Sequence, residues 1–514
     1  MSGTIAVVNA NVIPMHKRDR NQAIFVKDGI IEKVGTNEEI REAAAAAGVE
    51  PYDAGGATII PGMYDCHVHM LTTGENATAI DVYDCKDIAE VIELFKKADE
   101  EYEPGRWIYA KRLDESRLAE GRPPVIKEME CIKRPVFVLD RGKHYVLVNR
   151  LAYDALGVTK DIRGVRLDED GEPNGRLQDD ANTFASRAFF SSWTAEQRIE
   201  AMKFTANLAA SRGITTICPQ EGLDSTDDDV HLMCSIRDQL PIDIQIFWNT
   251  HKLEDIKSEN LDAWGGDILL DGAIGSRTAA FSEPYCDGDT CGYLNWPDEE
   301  VYRIVKEAVE NDLIVSFHAI GELAITQALD AMEKVLQEVG PEKAAKAKLR
   351  LEHFGFPANE NDIIRAGKMH LRVSMQSAFT YLRGGPGTVY RSRLGEERES
   401  GGYPSRKLLD AGCILGGGSD SDVTPMNSIF GMHAAVNQPY PESSITPYEA
   451  LRMYTIDAAR VTYQDSYKGS LEPGKQGDFV LLDRDPLKVD PTTIKDTKVL
   501  MTVHKGDIIF KETA

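Results

Sequence analysis

No stretch of this 514-residue chain approaches the roughly 18 consecutive apolar residues that a membrane-spanning helix needs, which argues against a helical membrane protein. The opening residues, MSGTIAVVNANVIPMHKR, alternate apolar and polar side chains but lack the basic start and apolar run of a secretory signal. Positive charge is scarce. Against 83 Asp and Glu there are 58 Lys and Arg, a net charge of −25 with neutral histidine, and such a surface repels phosphate backbones and anionic lipid. Nucleic acid and membrane are therefore not expected as partners. The eight cysteines show no zinc-type pairing; Cys286 and Cys291 alone are close, and their loop holds no second pair, so no metal or redox site is expected there. So long a chain does not need an oxidised framework, and the cytoplasm is the expected compartment. There is no repeat of fixed period and no low-complexity segment beyond a short alanine run. What remains is an ordinary globular composition, 42% hydrophobic, 27% charged and 8% aromatic, with length for two or three domains.

Both chain ends read as hairpins. IAVVNANVI, AIFVKDGIIEKVG and ATIIPG lie at the start, and GDFVLLDRD and VLMTVHKGDIIFKE at the finish, with turns at Lys27-Asp28-Gly29 and Lys505-Gly506-Asp507. One helical insert, EEIREAAAAAG, closes at Gly48. Because isolated hairpins are marginal, residues 1–62 and 466–514 are expected to form one small composite β-sandwich. In between, eight strand-like runs (IIPGMYDCH, GITTICPQ, PIDIQIFW, GDILLDG, LIVSFH, LRLEH, LRVSMQ and CILGGGSD) alternate with amphipathic stretches. After LIVSFH, for example, apolar residues recur at Ile325, Ala328, Leu329, Met332, Val335 and Leu336. The pattern predicts an α/β fold, a TIM-type (β/α)8 barrel over residues 63–465 with its active site at the carboxyl ends of the strands. Residues from about 72 to 200 break the rhythm and read as an insertion after the first barrel strand.

Asp65-Cys66-His67-Val68-His69 follows an apolar strand closed by Pro61-Gly62. On a strand, residues two apart share a side, so His67 and His69 present two imidazoles to one point, a donor pair suited to zinc. On its own a His-x-His is a weak signal, and the isolated pair reads more readily as two structural histidines than as ligands. His318 ends LIVSFH, His353 ends LRLEH and Asp420 ends CILGGGSD, so five ligand-type side chains are expected on the same rim. Glycines 416 to 418 permit a close backbone approach to a bound group. His16, His231, His251, His370, His433 and His504 fit no ligand pattern and read as surface or packing residues, and Trp248 and Phe379 as core or pocket wall.

The blocks ATIIPGMYDCHVHM, LLDGAIGSRTAAFSEPY, FHAIGE, LEHFG, GGGSDSDVTP, ALRMYTIDAARV and GSLEPGKQGDFVLLDRDP resemble, in order, those of the amidohydrolase superfamily, specifically the amidohydrolase-3 group of YtcJ-like metal-dependent hydrolases. The resemblance covers nearly the whole chain. It implies that His67, His69, His318, His353 and Asp420 occupy metal and catalytic positions, that one or two divalent ions, zinc in type, are the cofactor, and that the β-rich ends form the family's sandwich domain. It implies hydrolysis by an activated water, with Asp420 as general base and then general acid, and His353 as a ligand or an orienting group.

One departure stands out. Two-metal members usually carry a carbamylated lysine four residues before the Asp-Gly of the fourth-strand block, and here that residue is Asp267. Counted down an extended strand it lies about 13 Å below the rim, at ~3.3 Å per residue, and is expected not to reach the metal. Glu221, after GITTICPQ, is the better candidate for a bridging carboxylate; its alternative is a surface or outer-sphere glutamate. A single ion and two ions with an unusual bridge both stay open, the single ion being favoured. Arg277 in Gly275-Ser276-Arg277-Thr278 is read as a contact to a substrate carboxylate or as a loop support. His144 resembles a block of the inserted region that covers the barrel mouth, and faces substrate or folds the insertion. The expected partner is a small-molecule substrate with a non-peptide carbon–nitrogen bond, an amide, N-acyl, N-formyl or cyclic amide. A one-metal deaminase of a heterocycle and a binding protein without turnover are the rivals. The resemblance allows a homodimer; the sequence names no oligomeric state.

Overall fold

The computed structural model describes residues 3–17, 20–141, 145–222 and 228–513, in two compact units, Met1–Thr73 with Met202–Ala514 and Gly74–Ala201. Eight parallel strands form the barrel of the larger unit. They are β1 (Met63–Val68), β2 (Ile214–Glu221), β3 (Asp243–Ile244 and, after a break, Phe247–Trp248), β4 (Ala263–Leu269), β5 (Ile314–Ala319), β6 (Lys348–His353), β7 (Arg372–Met375) and β8 (Ile414–Gly417). Each pairs in parallel with its successor. A parallel bridge from Val68 to Ser421 brings the segment after β8 back to β1, so the TIM-type barrel is nearly closed. Its strands are buried on both faces, as parallel strands covered by helices must be. The helix Glu322–Glu338 after β5 buries Ile325, Ala328, Leu329, Met332 and Val335 of the stripe its spacing predicts, and leaves Leu336 half-buried at its edge.

The first predicted strand divides at Gly62. Thr58–Pro61 pairs antiparallel with Phe479–Leu482, whereas Met63–Val68 enters the barrel. The terminal segments build two sheets. One has the order Ile30–Gly35, Ala23–Lys27, Ile5–Val8, Tyr52–Asp53; the other Asn11–Val12, Thr58–Pro61, Phe479–Leu482, Val499–His504, Asp507–Lys511. Val7, Ile24 and Val26 of the first sheet pack with Ile59, Phe479, Leu481, Met501 and Val503 of the second. The alternate residues Ala6, Val8, Ala23 and Phe25 pack on Ile40 and Ala44 of the helix Asn37–Ala47. That helix begins in a capping box of Thr36 with Glu39 and ends at Gly48, whose φ of 69° is the left-handed cap that glycine favours.

The sandwich is pinned to the barrel by buried charge. Lys468 donates to Asp243 of β3 and, at 2.9 Å, to Thr216 of β2, and lies 3.9 Å from Asp478 beside Phe479. His504 sits between Asp478 (3.1 Å) and Asp243 (3.4 Å), and Lys505 reaches Asp243 at 2.6 Å. Asp243, Asp478 and His504 are close enough to serve as metal donors, but two ammonium groups already neutralise them. His504 is therefore an ion-pairing residue. Burial opposes its charge, yet the two carboxylates push its pKa from 6.5 to about 9. A raised pKa contributes stability that is complete below the unfolded value and lost as pH rises through the folded one. The stability advantage of the native chain over His504→Gln, on the order of a few kcal/mol, should thus be full below about pH 6.5 and vanish above about pH 9. Urea unfolding of both proteins at successive pH values checks this.

Gly74–Ala201 is built on a six-stranded sheet in the order Val165–Leu167, Pro173–Gln178, Tyr145–Val148, Val136–Asp140, Ile108–Leu113, Ile80–Asp81. Val136 and Val138 face Val91, Ile92 and Phe95 of the helix Ile88–Glu101. Phe137, between them, stacks on Phe189 of the helix Asp179–Ser191, ring centroids 4.1 Å apart. The period of two thus gives the unit a core on each side of its sheet. Among the described residues no helix is long and apolar enough to cross a membrane.

Candidate metal centre

β1 sorts its side chains by parity. Tyr64 and Cys66 pack outward on Ala458 and Ala459, while Asp65 and His67 face into the barrel and His69 follows at the rim. His67 is fully buried. Its Nδ1–H donates to Glu352 at 2.9 Å, which leaves Nε2 as the free lone pair, and that atom has no hydrogen-bond partner among the described residues. His69 donates through Nδ1 to the Gln220 carbonyl at 3.1 Å and turns Nε2 inward. His318, at the end of β5, donates through Nε2 to the Gly272 carbonyl and presents Nδ1. Both ring nitrogens of His353 are buried without a partner among the described residues, and the buried Oδ1 of Asp420 faces His69 Nε2. The His353 ring centroid lies 5.0 Å from that of His67 and 4.4 Å from that of His318, so four imidazoles meet at one end of the barrel.

Asp420 lies three residues beyond the end of β8, not on the strand, and its N–H donates to the His67 carbonyl at 2.8 Å. Asp420 and His353 both adopt positive φ, 52° and 69°. Such backbone costs of order 1–3 kcal/mol and is kept where the surroundings over-determine it. The glycines before Asp420 give way to protein atoms instead of a bound group. A Cβ at Gly416, Gly417 or Gly418 would meet Cys66 Sγ at 2.8 Å, the Tyr454 ring at 2.2 Å or His67 Cβ at 2.7 Å.

Asp267 overturns the reach expected from strand length. Gly265 of β4 stands opposite Ser316 of β5, but the next paired residue, Leu269, stands opposite His318. Four residues advance against two, so the chain bulges and carries Asp267 toward the rim. The bulge needs glycine: Gly265 and Gly266 have φ of 89° and 91°, and a Cβ on them would meet Ser316 O at 2.2 Å and Gln220 Oε1 at 1.5 Å. Asn249 accepts the Asp267 N–H at 2.7 Å and fixes it. The carboxylate then lies 3.2 Å from His318 Nδ1, 3.5 Å from His69 Nε2 and 3.9 Å from His67 Nε2.

Asp420 Oδ1 is 3.0 Å from His69 Nε2 and 3.6 Å from His67 Nε2. Three donor groups emerge: His67, His69 and Asp267; His67, His353 and Asp420; and Asp267, His318 and His353, the donor atoms within each lying inside 4.8 Å of one another. Ligands of a tetrahedral divalent ion at 2.0–2.2 Å stand about 3.3–3.6 Å apart, near the 3.0–3.9 Å between these imidazole nitrogens and carboxylate oxygens, so the site fits a divalent ion. Its electrostatics agree. Burial would lift the carboxyls of Asp267 and Asp420, but the surrounding imidazoles hold both well below the ordinary range. Burial disfavours charge on His69 and His318, yet Asp420 and Asp267 raise the first to about 10, and Asp267 and Asp271 raise the second to about 9. Burial, with His318 and His67 nearby, pushes His353 down to about 3 and keeps it neutral. The carboxylates thus demand positive charge, which protons or a cation can supply.

Sequence reasoning missed the residues behind the donors. Glu352, one residue before His353, accepts from His67, from the Ser316 hydroxyl at 2.5 Å and from Arg350 Nε at 2.6 Å, and all of these are fully buried. Asp271 accepts the N–H groups of Ala280, Ile320 and Gly321 and so ties the loops after β4 and β5. Asp65 accepts from Ser419 and His67 and holds the Asp420 loop. An arginine and an acid two positions apart on a buried strand that ends in a ligand-type residue, as in Arg350-x-Glu352-His353, were the available signal.

Glu221, the expected bridge, caps instead. Its carboxylate accepts the Leu71 N–H at 3.0 Å at the start of the helix Met70–Thr78, and it belongs to none of the donor groups among the described residues. Burial lifts its pKa to about 7. Arg277 forms a two-pronged pair with Asp287 at 3.0 and 3.1 Å on its own loop, and Asp287 also pairs with Arg393, so the guanidinium holds the loop. His144 lies outside the described residues. Phe379 lies 5.7 Å from the His353 ring, a wall residue.

A family model described as the amidohydrolase family matches residues 50–510. YtcJ of Bacillus subtilis strain 168, named as a candidate amidohydrolase, is 26% identical over 97% of this chain and 98% of its own. The N-substituted formamide deformylase of Arthrobacter pascens is 26% identical over 99% of this chain and 98% of its own. The crystal structure of an uncharacterized metal-dependent hydrolase from Pyrococcus furiosus superposes with a TM-score of 0.81 at 25% identity, covering 94% of this chain and 100% of that one.

Proposed function

Because the chain belongs to the amidohydrolase family, we propose that it hydrolyses a non-peptide carbon–nitrogen bond of a small molecule, an amide, N-acyl, N-formyl or cyclic amide group, at a site holding divalent metal of zinc type. The observation that carries this reading is the meeting of His67 Nε2 and both ring nitrogens of His353, buried without a partner among the described residues, with the Asp420 carboxylate inside the barrel rim. The deformylase similarity supports an N-substituted formamide as the first substrate to try.

His67, His69 and His318 would hold the metal, with Asp420 and His353 completing the donor set. A divalent ion in such a set supplies Lewis acidity, lowering the pKa of water from 15.7 to about 7 and polarising a carbonyl. The chain's own contributions follow from geometry. Glu352 and the Gln220 carbonyl fix the tautomers of His67 and His69, so each offers Nε2. Asp420, whose Oδ1 lies 3.0 Å from His69 Nε2 and 3.6 Å from His67 Nε2, accepts the proton of the attacking water and returns it to the leaving nitrogen. Asp271 holds the loops that flank His318.

The test is a panel of N-substituted formamides, N-acyl amines and cyclic amides, read for released amine and acid, together with metal analysis of the protein and of His67→Ala. The native protein should contain metal and turn over at least one class, and His67→Ala should lose most of both. Unchanged metal content and activity in His67→Ala would sink the proposal. Release of ammonia from a heterocycle in place of an amine plus an acid would shift it to deamination.

A further inference from the structure

We propose that Asp267 is the carboxylate shared by two metal ions, so that this chain supplies its bridge directly and needs no carbamylated lysine; the inference rests on the metal-dependent hydrolase reading above. Asp267 belongs to two of the three donor groups, with His67 and His69 on one side and with His318 and His353 on the other. Oδ2 lies 3.5 Å from His69 Nε2, and Oδ1 lies 3.2 Å from His318 Nδ1 and 3.9 Å from His67 Nε2. A carboxylate placed between two imidazole pairs, its oxygens facing nitrogens of both, has the arrangement of a bridge.

The backbone is built for that placement. A lysine reaches a rim from deep in a strand by its length, whereas aspartate has one methylene, so the main chain itself must rise. The two-residue bulge of β4 provides the rise, and it depends on Gly265 and Gly266, where any Cβ would strike Ser316 O or Gln220 Oε1. The Asn249 side chain then anchors the Asp267 N–H. Short side chain, paired glycines and anchor act as one device. Glu221, the alternative bridge, is engaged by the Leu71 N–H.

A second consequence concerns carbon dioxide. A carbamate bridge forms only when lysine reacts with it, so sites of that kind respond to bicarbonate during metal loading. An aspartate bridge does not.

The experiment uses the full chain stripped with a chelator and reloaded with Mn2+, with and without added bicarbonate, for the native protein, Asp267→Asn and Glu221→Gln. Bound metal per chain is measured by mass spectrometry, and spin coupling by electron paramagnetic resonance. The native protein and Glu221→Gln should each take up two ions with the spectrum of an exchange-coupled pair, irrespective of bicarbonate. Asp267→Asn, nearly isosteric and still able to donate its N–H to Asn249, should bind the second ion at least tenfold more weakly and show an uncoupled spectrum. Should Asp267→Asn fail to fold, a coupled pair in both the native protein and Glu221→Gln without bicarbonate still supports the assignment. One ion in the native protein, a coupled pair retained in Asp267→Asn, loss of the pair in Glu221→Gln, or a bicarbonate requirement would each overturn it. A native protein that binds a single ion and still hydrolyses amides ends this proposal and leaves the hydrolase reading intact, whereas one that binds none ends both.

Discussion

Asp420→Asn should lower kcat by about 10²–10⁴-fold, the range lost when a positioned general acid–base is removed. Asparagine keeps the shape and an oxygen donor but cannot accept the proton of water. The variant should fold, because asparagine is among the few residues that tolerate the left-handed backbone that Asp420 occupies at φ 52°, and the N–H bond to the His67 carbonyl is retained. Measuring kcat and metal content together separates two roles. A large loss of kcat with metal retained marks proton transfer; loss of the metal as well marks a ligand. Full activity in Asp420→Asn would remove the residue from the chemistry.

The second large effect belongs to a residue that touches no substrate. Glu352→Ala should destabilise the fold by about 3–5 kcal/mol, the cost of leaving one partner of a buried ion pair alone. The Arg350 guanidinium, fully buried, donates to both carboxylate oxygens of Glu352 and to the Cys66 carbonyl, and lies over the Phe247 ring, so without Glu352 its charge loses its counter-ion and has no route to water. Burial would raise the Glu352 pKa, but Arg350 and His67 hold it at about 2, so the carboxylate is ionised at any working pH. Glu352→Gln is milder for the fold and more informative about the site. It keeps an acceptor for Ser316 or His67 while removing the charge that makes His67 a good donor, and metal affinity should fall about 10–100-fold. Chemical denaturation of the first variant and chelator competition on the second test these statements. Stability of Glu352→Ala within about 1 kcal/mol of the native protein would mean that the pair is not isolated from solvent.

Much of the site was legible because its signals are local. Strand ends are marked by runs of branched apolar residues, and a histidine or aspartate at the end of such a run needs only the parallel barrel to be aimed at the rim, as His67, His318 and His353 are. The chain turns were equally local. Asp28-Gly29 and Lys505-Gly506 all have positive φ, the turn their sequences ask for in a hairpin. Asp420 was found by the same reasoning although it stands on the loop beyond β8, since the glycines before it extend the apparent strand.

Counting along the chain by itself therefore determined the barrel, the composite sandwich and the strand-end positions of five ligand-type side chains, because each rests on a periodicity of two or of three to four residues that the local backbone imposes. Tertiary structure alone decided what lies between those donors. Whether Asp267 reaches them depends on a bulge whose register is set by Ser316 and His318 on the neighbouring strand. Whether Glu221 is available depends on the first turn of a helix 150 residues away in sequence. Whether a buried acid orients a ligand, as Glu352 does for His67, depends on strands that meet across 285 residues. Spacing reports direction along one strand; distance between strands exists only once the ring has closed.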